Sequence, residues 1–131
     1  MSTEYPVDLM YTNDHEWTKT EGSHMLVGIT QFAVEQLGDI TLVSLDIKVG
    51  DQLTAGKAFG TIESVKTLSD LFAPVAGRVI KVNTALANQP ELVNEDCYGG
   101  AWMIELELTA GADTSTLLTP AAYAVHANAG K

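Results

Sequence analysis

The stretch Ala58-Phe59-Gly60-Thr61-Ile62-Glu63-Ser64-Val65-Lys66-Thr67-Leu68-Ser69-Asp70-Leu71-Phe72-Ala73 reads as two strands, Ala58–Ser64 and Ser69–Ala73, joined by a short turn. Lys66 sits at the tip of that hairpin and is the only lysine between Ala58 and Ile80. A lysine so placed projects its amine away from the sheet that carries it, where an enzyme can modify it. The plain alternative is an ordinary solvated turn lysine, and the surrounding sequence has to decide between the two.

Outward from the hairpin, turn residues recur at Gly22, Gly28, Gly38, Gly50-Asp51, Gly56, Pro74, Gly77, Pro90 and Gly99-Gly100. The segments between them are short and rich in Val, Ile, Leu and Thr, the pattern of a mostly β chain folded as a sandwich or flattened barrel. Further strands are expected at Met25–Gly28, Ile40–Asp46, Gly77–Val82 and Trp102–Leu108. In the last of these, Trp102, Ile104, Leu106 and Leu108 share one face and Met103, Glu105 and Glu107 the other. Thr30 is positioned to cap a short helix over residues 30–37 that ends at Gly38. Thr119-Pro120 opens a second at Ala121–Ala127, with a smaller helical turn from Asp113 through Leu117-Leu118 and a frayed end from Asn128 to Lys131. The organisation is a single domain over 1–131, with a core at about 10–108 and a C-terminal helical segment at about 113–128.

The composition narrows the class of function. The 131 residues include 17 acidic and 7 basic side chains, a formal net charge of −10. That balance opposes nucleic acid, whose phosphates would be repelled, and suits a carrier steered toward basic rims of its partners. The single cysteine, Cys97, excludes an internal disulfide. No signal-peptide pattern opens the sequence, and no apolar run approaches the ~20 residues of a membrane span. The expectation is a cytoplasmic protein, or one of the mitochondrial matrix with its transit peptide removed.

Most catalytic chemistries find no constellation. His15, His24 and His126 lack metal-ligand spacing and there are no paired cysteines, so no metal is expected. The carboxylates beside Cys97 in Asn94-Glu95-Asp96-Cys97 should raise its thiol pKa rather than activate it. Ser64 and Lys66 are two apart, not the Ser-x-x-Lys of a helical pair, and no phosphate-binding glycine loop leads into a helix. No catalytic residue is assigned. On sequence alone Glu16 and Asp70 are solvated surface charges.

The motifs Asn13-Asp14-His15-Glu16-Trp17, Val27-Gly28-Ile29-Thr30, Glu35-Gln36-Leu37-Gly38-Asp39-Ile40 and Gly60-Thr61-Ile62-Glu63-Ser64-Val65-Lys66 stand here in one order. Ser69-Asp70-Leu71-Phe72-Ala73-Pro74-Val75-Ala76-Gly77, Glu91-Leu92-Val93-Asn94 and Tyr98-Gly99 with Trp102-Met103-Ile104 continue it. In this order they resemble the H proteins of the glycine cleavage system, from about Met10 to Leu108. The resemblance implies a hybrid of two antiparallel sheets like the lipoyl and biotinyl domains, with lipoic acid joined by an amide to Lys66. Glu63, Ser64 and Val65 match the attachment motif. Val65 and Thr67 separate the site from biotin carriers, which place methionine on both sides of the lysine.

The implied role is a non-catalytic relay. A pyridoxal-phosphate-dependent glycine decarboxylase loads the arm with an aminomethyl group. An aminomethyltransferase passes the carbon to tetrahydrofolate, dihydrolipoamide dehydrogenase reoxidises the dithiol, and a lipoate ligase or lipoyltransferase installs the arm. By the same resemblance, Glu16 and Asp70 line a cleft that shields the loaded arm. Departures from the family pattern are Cys97 for proline, Ala101 for glycine, Thr67 for alanine, and Gln36 where some members place histidine. A second reading is an H-like carrier that relays lipoyl groups in protein lipoylation; a third is an unmodified β-sandwich binding module.

Overall fold

The computed structural model describes residues 5–109, 114–115 and 117–129. In chain order the elements are β1 (Met10–Tyr11), β2 (Glu16–Glu21), β3 (His24–Ile29), α1 (Gln31–Leu37), β4 (Ile40–Leu45), β5 (Gln52–Leu53) and β6 (Ala58–Ser64). They continue with β7 (Leu68–Phe72), β8 (Gly77–Val82), α2 (Ala85–Asn88), α3 (Leu92–Glu95), β9 (Ile104–Leu108) and α4 (Pro120–Ala129). Every strand pairing is antiparallel, in one sheet of order β1-β2-β3-β9-β8-β5 and another of order β4-β6-β7. The mostly β, two-sheet expectation therefore holds. Of the two architectures, it is the sandwich that forms: the sheets do not close into a barrel.

The main core joins Met25, Val27, Leu53, Val79, Ile104 and Leu106 of the larger sheet with Val43, Phe59, Ile62 and Leu71 of the smaller, sealed by Val34 and Leu37 of α1. Thr30 caps α1 as expected, its hydroxyl accepting the Ala33 N–H at 3.2 Å. A second cluster, Leu9, Tyr11, Trp17, Phe32, Tyr123 and Ala127, fastens α4 to β1 and β2.

Several expectations change. The segment before α4 is not a helical turn through Leu118. Leu117 N–H closes a turn on Thr114, but Leu118 exchanges backbone hydrogen bonds with Tyr11 at 2.6 and 2.9 Å, so its peptide groups are committed to β1. The helix starts at Pro120, and Asp113 lies outside the described residues. At the other end α4 continues through Asn128 to Ala129, past the expected fraying point. Strand β9 begins at Ile104 rather than Trp102, and Met103 is buried, unlike the partly exposed Glu105 and Glu107. The Met103 N–H donates to the Val27 carbonyl and its own carbonyl accepts the Asn83 N–H, so its backbone already bonds to the chain on either side of β9.

Gly28 shows how tightly the second cluster is built. It faces Trp17 across the β2–β3 ladder, and a Cβ there would lie 2.6 Å from indole atoms. The indole is pinned because its Nε1–H donates to the Cys97 carbonyl at 2.7 Å. Gly28→Ala is expected to lower stability by about 1–3 kcal/mol through overpacking, read as a drop in the urea midpoint. An unmoved midpoint would show that Trp17 is free to shift.

Candidate functional site

The hairpin of β6 and β7 pairs Ile62 with Ser69 and Glu63 with Leu68, leaving residues 65–67 as its tip. Ser64 builds the turn. Its N–H donates to the Thr67 carbonyl at 2.8 Å, and its hydroxyl oxygen accepts the N–H groups of Lys66 (3.1 Å) and Thr67 (3.2 Å). Such side-chain capping of backbone groups is the usual reason for serine in a tight turn. Val65 N–H donates to the Asp39 carbonyl at 3.0 Å, tying the tip to the chain entering β4. Asn94 holds that chain on both sides of Asp39, donating to the Gly38 carbonyl and accepting the Ile40 N–H.

Lys66 is exposed. Its stem lies across the end of α1, where Gly38 has φ of 81° and a Cβ would meet Lys66 Cε at 3.4 Å. That contact would be an ordinary van der Waals one, so glycine is favoured there by its positive φ rather than by lack of space. Glu63 is exposed on the outer face of the smaller sheet. Register places Leu42, Glu63 and Leu68 in one cross-strand row, with Leu42 44% and Leu68 61% exposed, and Val65 at the tip 66% exposed.

A cleft of about 320 Å³ opens beside this tip, between α1, the 14–16 turn and the edge strand β7. It includes Leu37, which precedes Gly38, and Ser69, three residues past Lys66, so it starts at the base of the lysine. Glu16, Asp70, His15 and Gln36 line it too. The structure thus brings together Glu16 and Asp70, which lie on separate strands. Asp70 is exposed, as the sequence suggests. Glu16 is not: only 2% of its surface is accessible, which corrects its reading as a solvated charge. The physical reason is that β7 closes over it. Phe72 N–H, on the edge of β7 away from β6, donates to Glu16 Oε2 at 2.8 Å, and the Thr12 hydroxyl donates to Oε1 at 3.3 Å.

Burial pushes the Glu16 carboxyl up to about 8, against these two hydrogen bonds, which favour the carboxylate, and with the help of nearby Asp14. Near neutral pH the unliganded carboxyl is therefore mostly protonated. Thr12 also shapes the turn, its hydroxyl oxygen accepting the N–H groups of Asp14 and Glu16 at 3.2 Å. His15 holds a positive φ of 67°, stabilised by its N–H to the Thr12 carbonyl and by Thr30 N–H on its own carbonyl.

The other candidates fall outside this site. Cys97 is buried, and desolvation followed by Asp96 raises its thiol to about 11, as the neighbouring carboxylates suggest. His24 lies apart, 3.3 Å from Glu105, whereas His15 and His126, far apart in sequence, stack at 5.3 Å. Among the described residues no three His, Cys, Asp or Glu side chains gather as a metal site. Of the departures, Gln36 lines the cleft, Thr67 is exposed at the tip and Ala101 is buried. Thr12 and Tyr123 escaped the sequence reading, and Asn94 entered it only as part of a motif, without its bracing role. The Thr12-Asn13-Asp14 turn signal could have found the first, and nothing local points to Tyr123.

The chain is similar to known proteins over most of its length. Residues 9–129 match the family model described as glycine cleavage H-protein. The glycine cleavage system H protein of Bacillus cytotoxicus is 50% identical over 123 residues, 94% of this chain and 96% of that protein, and that of Bacillus anthracis matches to the same extent. A crystal structure of a glycine cleavage system H protein from Mycobacterium marinum superposes with a TM-score of 0.85 at 39% identity, covering 95% of this chain and 99% of that one.

Proposed function

This chain belongs to the glycine cleavage H-protein family, the lipoyl carriers of the glycine cleavage system, and from that premise we propose that Lys66 is its lipoyl-bearing residue. The carrying observation is the exposed amine on a hairpin tip braced by Ser64, Asp39 and Asn94, beside a cleft that ends on a buried carboxyl. Attachment requires the neutral Lys66 amine to displace the leaving group of an activated lipoyl ester. The N–C bond forms, the C–O bond breaks, and the lysine proton leaves to solvent. Held on Lys66, a dithiolane would supply the sulfur chemistry of group acceptance and thiol–disulfide exchange.

The protein's part is mounting and shielding. A convex tip lets successive enzymes reach the same sulfur atoms, and tethering raises their effective concentration once the carrier docks. Membership in the system makes the decarboxylase, aminomethyltransferase and dihydrolipoamide dehydrogenase its partners. In this reading the chain performs no catalysis and acts as one carrier unit. It works in the cytoplasm, as its match to bacterial relatives suggests; no helix of the described residues is long and apolar enough to cross a membrane. Intact-mass analysis after lipoate feeding, with peptide mapping, tests the assignment: the lipoyl increment is expected on the peptide containing Lys66, and an increment elsewhere or none would overturn it.

For the lysine to enter a lipoate ligase, the enzyme must cover what surrounds it. The outward row Leu42, Glu63 and Leu68, with Val65, offers an apolar strip with an acidic centre, complementary to an apolar site with a basic rim. Leu42→Gln and Leu68→Gln are each expected to raise the ligase KM about tenfold, equivalent to about 1–2 kcal/mol of lost burial, with kcat little changed. Val125→Gln, at an exposed apolar residue on α4, is the comparison. Equal KM values for all three variants and the parent would exclude this docking face.

A further inference from the structure

The hydroxyls that meet beside the cleft settle the protonation of His15. Thr30 is fully buried, and its oxygen already accepts the Ala33 N–H. Among the described residues, the remaining partner of its hydroxyl is Tyr123 Oη, 2.7 Å away. A buried hydroxyl proton left without an acceptor is costly, so Thr30 donates to Tyr123. Tyr123, itself fully buried, then has its own proton to place, and His15 Nδ1 stands 2.8 Å from Oη. Nδ1 therefore accepts, and the imidazole proton resides on Nε2.

We propose that Tyr123, a positioning residue on α4, holds His15 as an uncharged Nε2–H imidazole so that the cleft can receive a small ammonium group at the end of the arm. This rests on the reading of Lys66 as arm-bearing. The electrostatic need is plain. His15 lines the same cleft as Glu16 and Asp70, and a positive imidazole there would repel the cation they are placed to hold. Three features act together against its protonation. The Tyr123 hydroxyl occupies Nδ1. The His126 ring stacks on His15 at 5.3 Å, and His126 Nε2–H donates to the Asn13 carbonyl at 3.0 Å. Phe32 covers part of the ring, with centroids 4.6 Å apart. The groups facing His15 are Tyr123 and His126 from α4, Phe32 from α1 and Asp14 from its own turn, while Glu16 and Asp70 line the same cleft. Burial and then His126 lower the His15 pKa, with Asp14 opposing them.

Long-range ¹H–¹⁵N NMR on histidine-labelled, unmodified protein tests the tautomer without any arm. The expected result near pH 7 is an unprotonated Nδ1 and a protonated Nε2 for His15. Tyr123→Phe keeps the ring stacked on Tyr11 but removes the donor; the His15 midpoint should then move up. Thr30→Ser, which keeps the hydroxyl chain, should titrate like the parent. In lipoylated, aminomethyl-loaded protein, Tyr123→Phe should lose its cargo several-fold faster than the parent as pH falls from 7.5 to 6, with the two converging at the high end. A His15 Nδ1–H tautomer in the parent, or an unmoved midpoint in Tyr123→Phe, overturns the proposal. Absence of any lipoyl increment on Lys66 would instead sink the arm assignment and leave the NMR result standing.

Discussion

A Lys66→Arg chain is expected to fold like its parent, to gain no lipoyl mass and to show no glycine-dependent loading by the decarboxylase. Folding survives because the hairpin uses the backbone N–H of residue 66, on Ser64, and the side chain is exposed. Arginine keeps the positive charge and a long stem over Gly38. What it lacks is a neutral amine: a guanidinium stays protonated in proteins, so no lone pair is available to attack an acyl carbon. Loss should be total rather than graded. Lys57→Arg and Lys81→Arg, at exposed lysines on the same chain, should be modified normally. A lipoyl increment that persists in Lys66→Arg would move the arm to another lysine and void the reading of the cleft with it.

The second large effect belongs to Glu16. In the folded, unliganded protein its carboxyl titrates at about 8, against an ordinary 4.5. Between those values the folded state holds a proton that the unfolded chain has released. Raising the pH across that window therefore destabilises the fold, and the slope disappears above about 8 and below about 4.5. The total is on the order of a few kcal/mol, since each pKa unit corresponds to about 1.4 kcal/mol. Glu16→Gln removes the titration while keeping an oxygen for Phe72 N–H. It should be more stable than the parent at pH 8 and nearly equal at pH 4.5, as read by urea unfolding at the two pH values.

Function should move the opposite way. An ammonium entering the cleft is expected to draw the proton off Glu16 and pair with the carboxylate, a charge-assisted contact that an amide cannot make. Loading should thus release a proton in the parent, and Glu16→Gln should lose the aminomethyl group to water much faster. Asp70→Ala should do so to a smaller degree, because an exposed carboxylate is screened by solvent. Cargo lifetimes equal to the parent in both variants would remove these residues from the site. A Glu16→Gln chain no more stable than the parent at pH 8 would mean that water reaches the carboxyl.

The contrast between Lys66 and Glu16 marks how far the sequence could be read. The hairpin was legible because its signals are local. Alternating β-formers flank a serine that can cap its own turn, and the strands at 58–64 and 68–72 lie within a residue of their expected bounds. The α1 cap and stop at Thr30 and Gly38 were legible for the same reason. Strand β2 was not. Its Glu-Trp-Thr-Lys-Thr-Glu run has one apolar residue, and its burial does not alternate: the first three residues are covered on both sides and the last three are exposed. Pairing with β3 on one side and with β1 on the other makes it a strand. The two-residue strands β1 and β5 are too short to carry any period.

By itself the sequence determined a mostly β chain and the lysine at a hairpin tip, which depend on residue order over a few positions, and its ordered motifs carried the family resemblance and with it the two-sheet form. The resemblance already put Glu16 and Asp70 in one cleft; only the tertiary structure decided that Glu16 is a buried, proton-holding acid and that Tyr123 meets His15 from the far end of the chain. The reason is that desolvation and hydrogen-bond pairing are set by what surrounds a group in space. A carboxylate in a polar run carries no mark of the β7 edge that will fold over it.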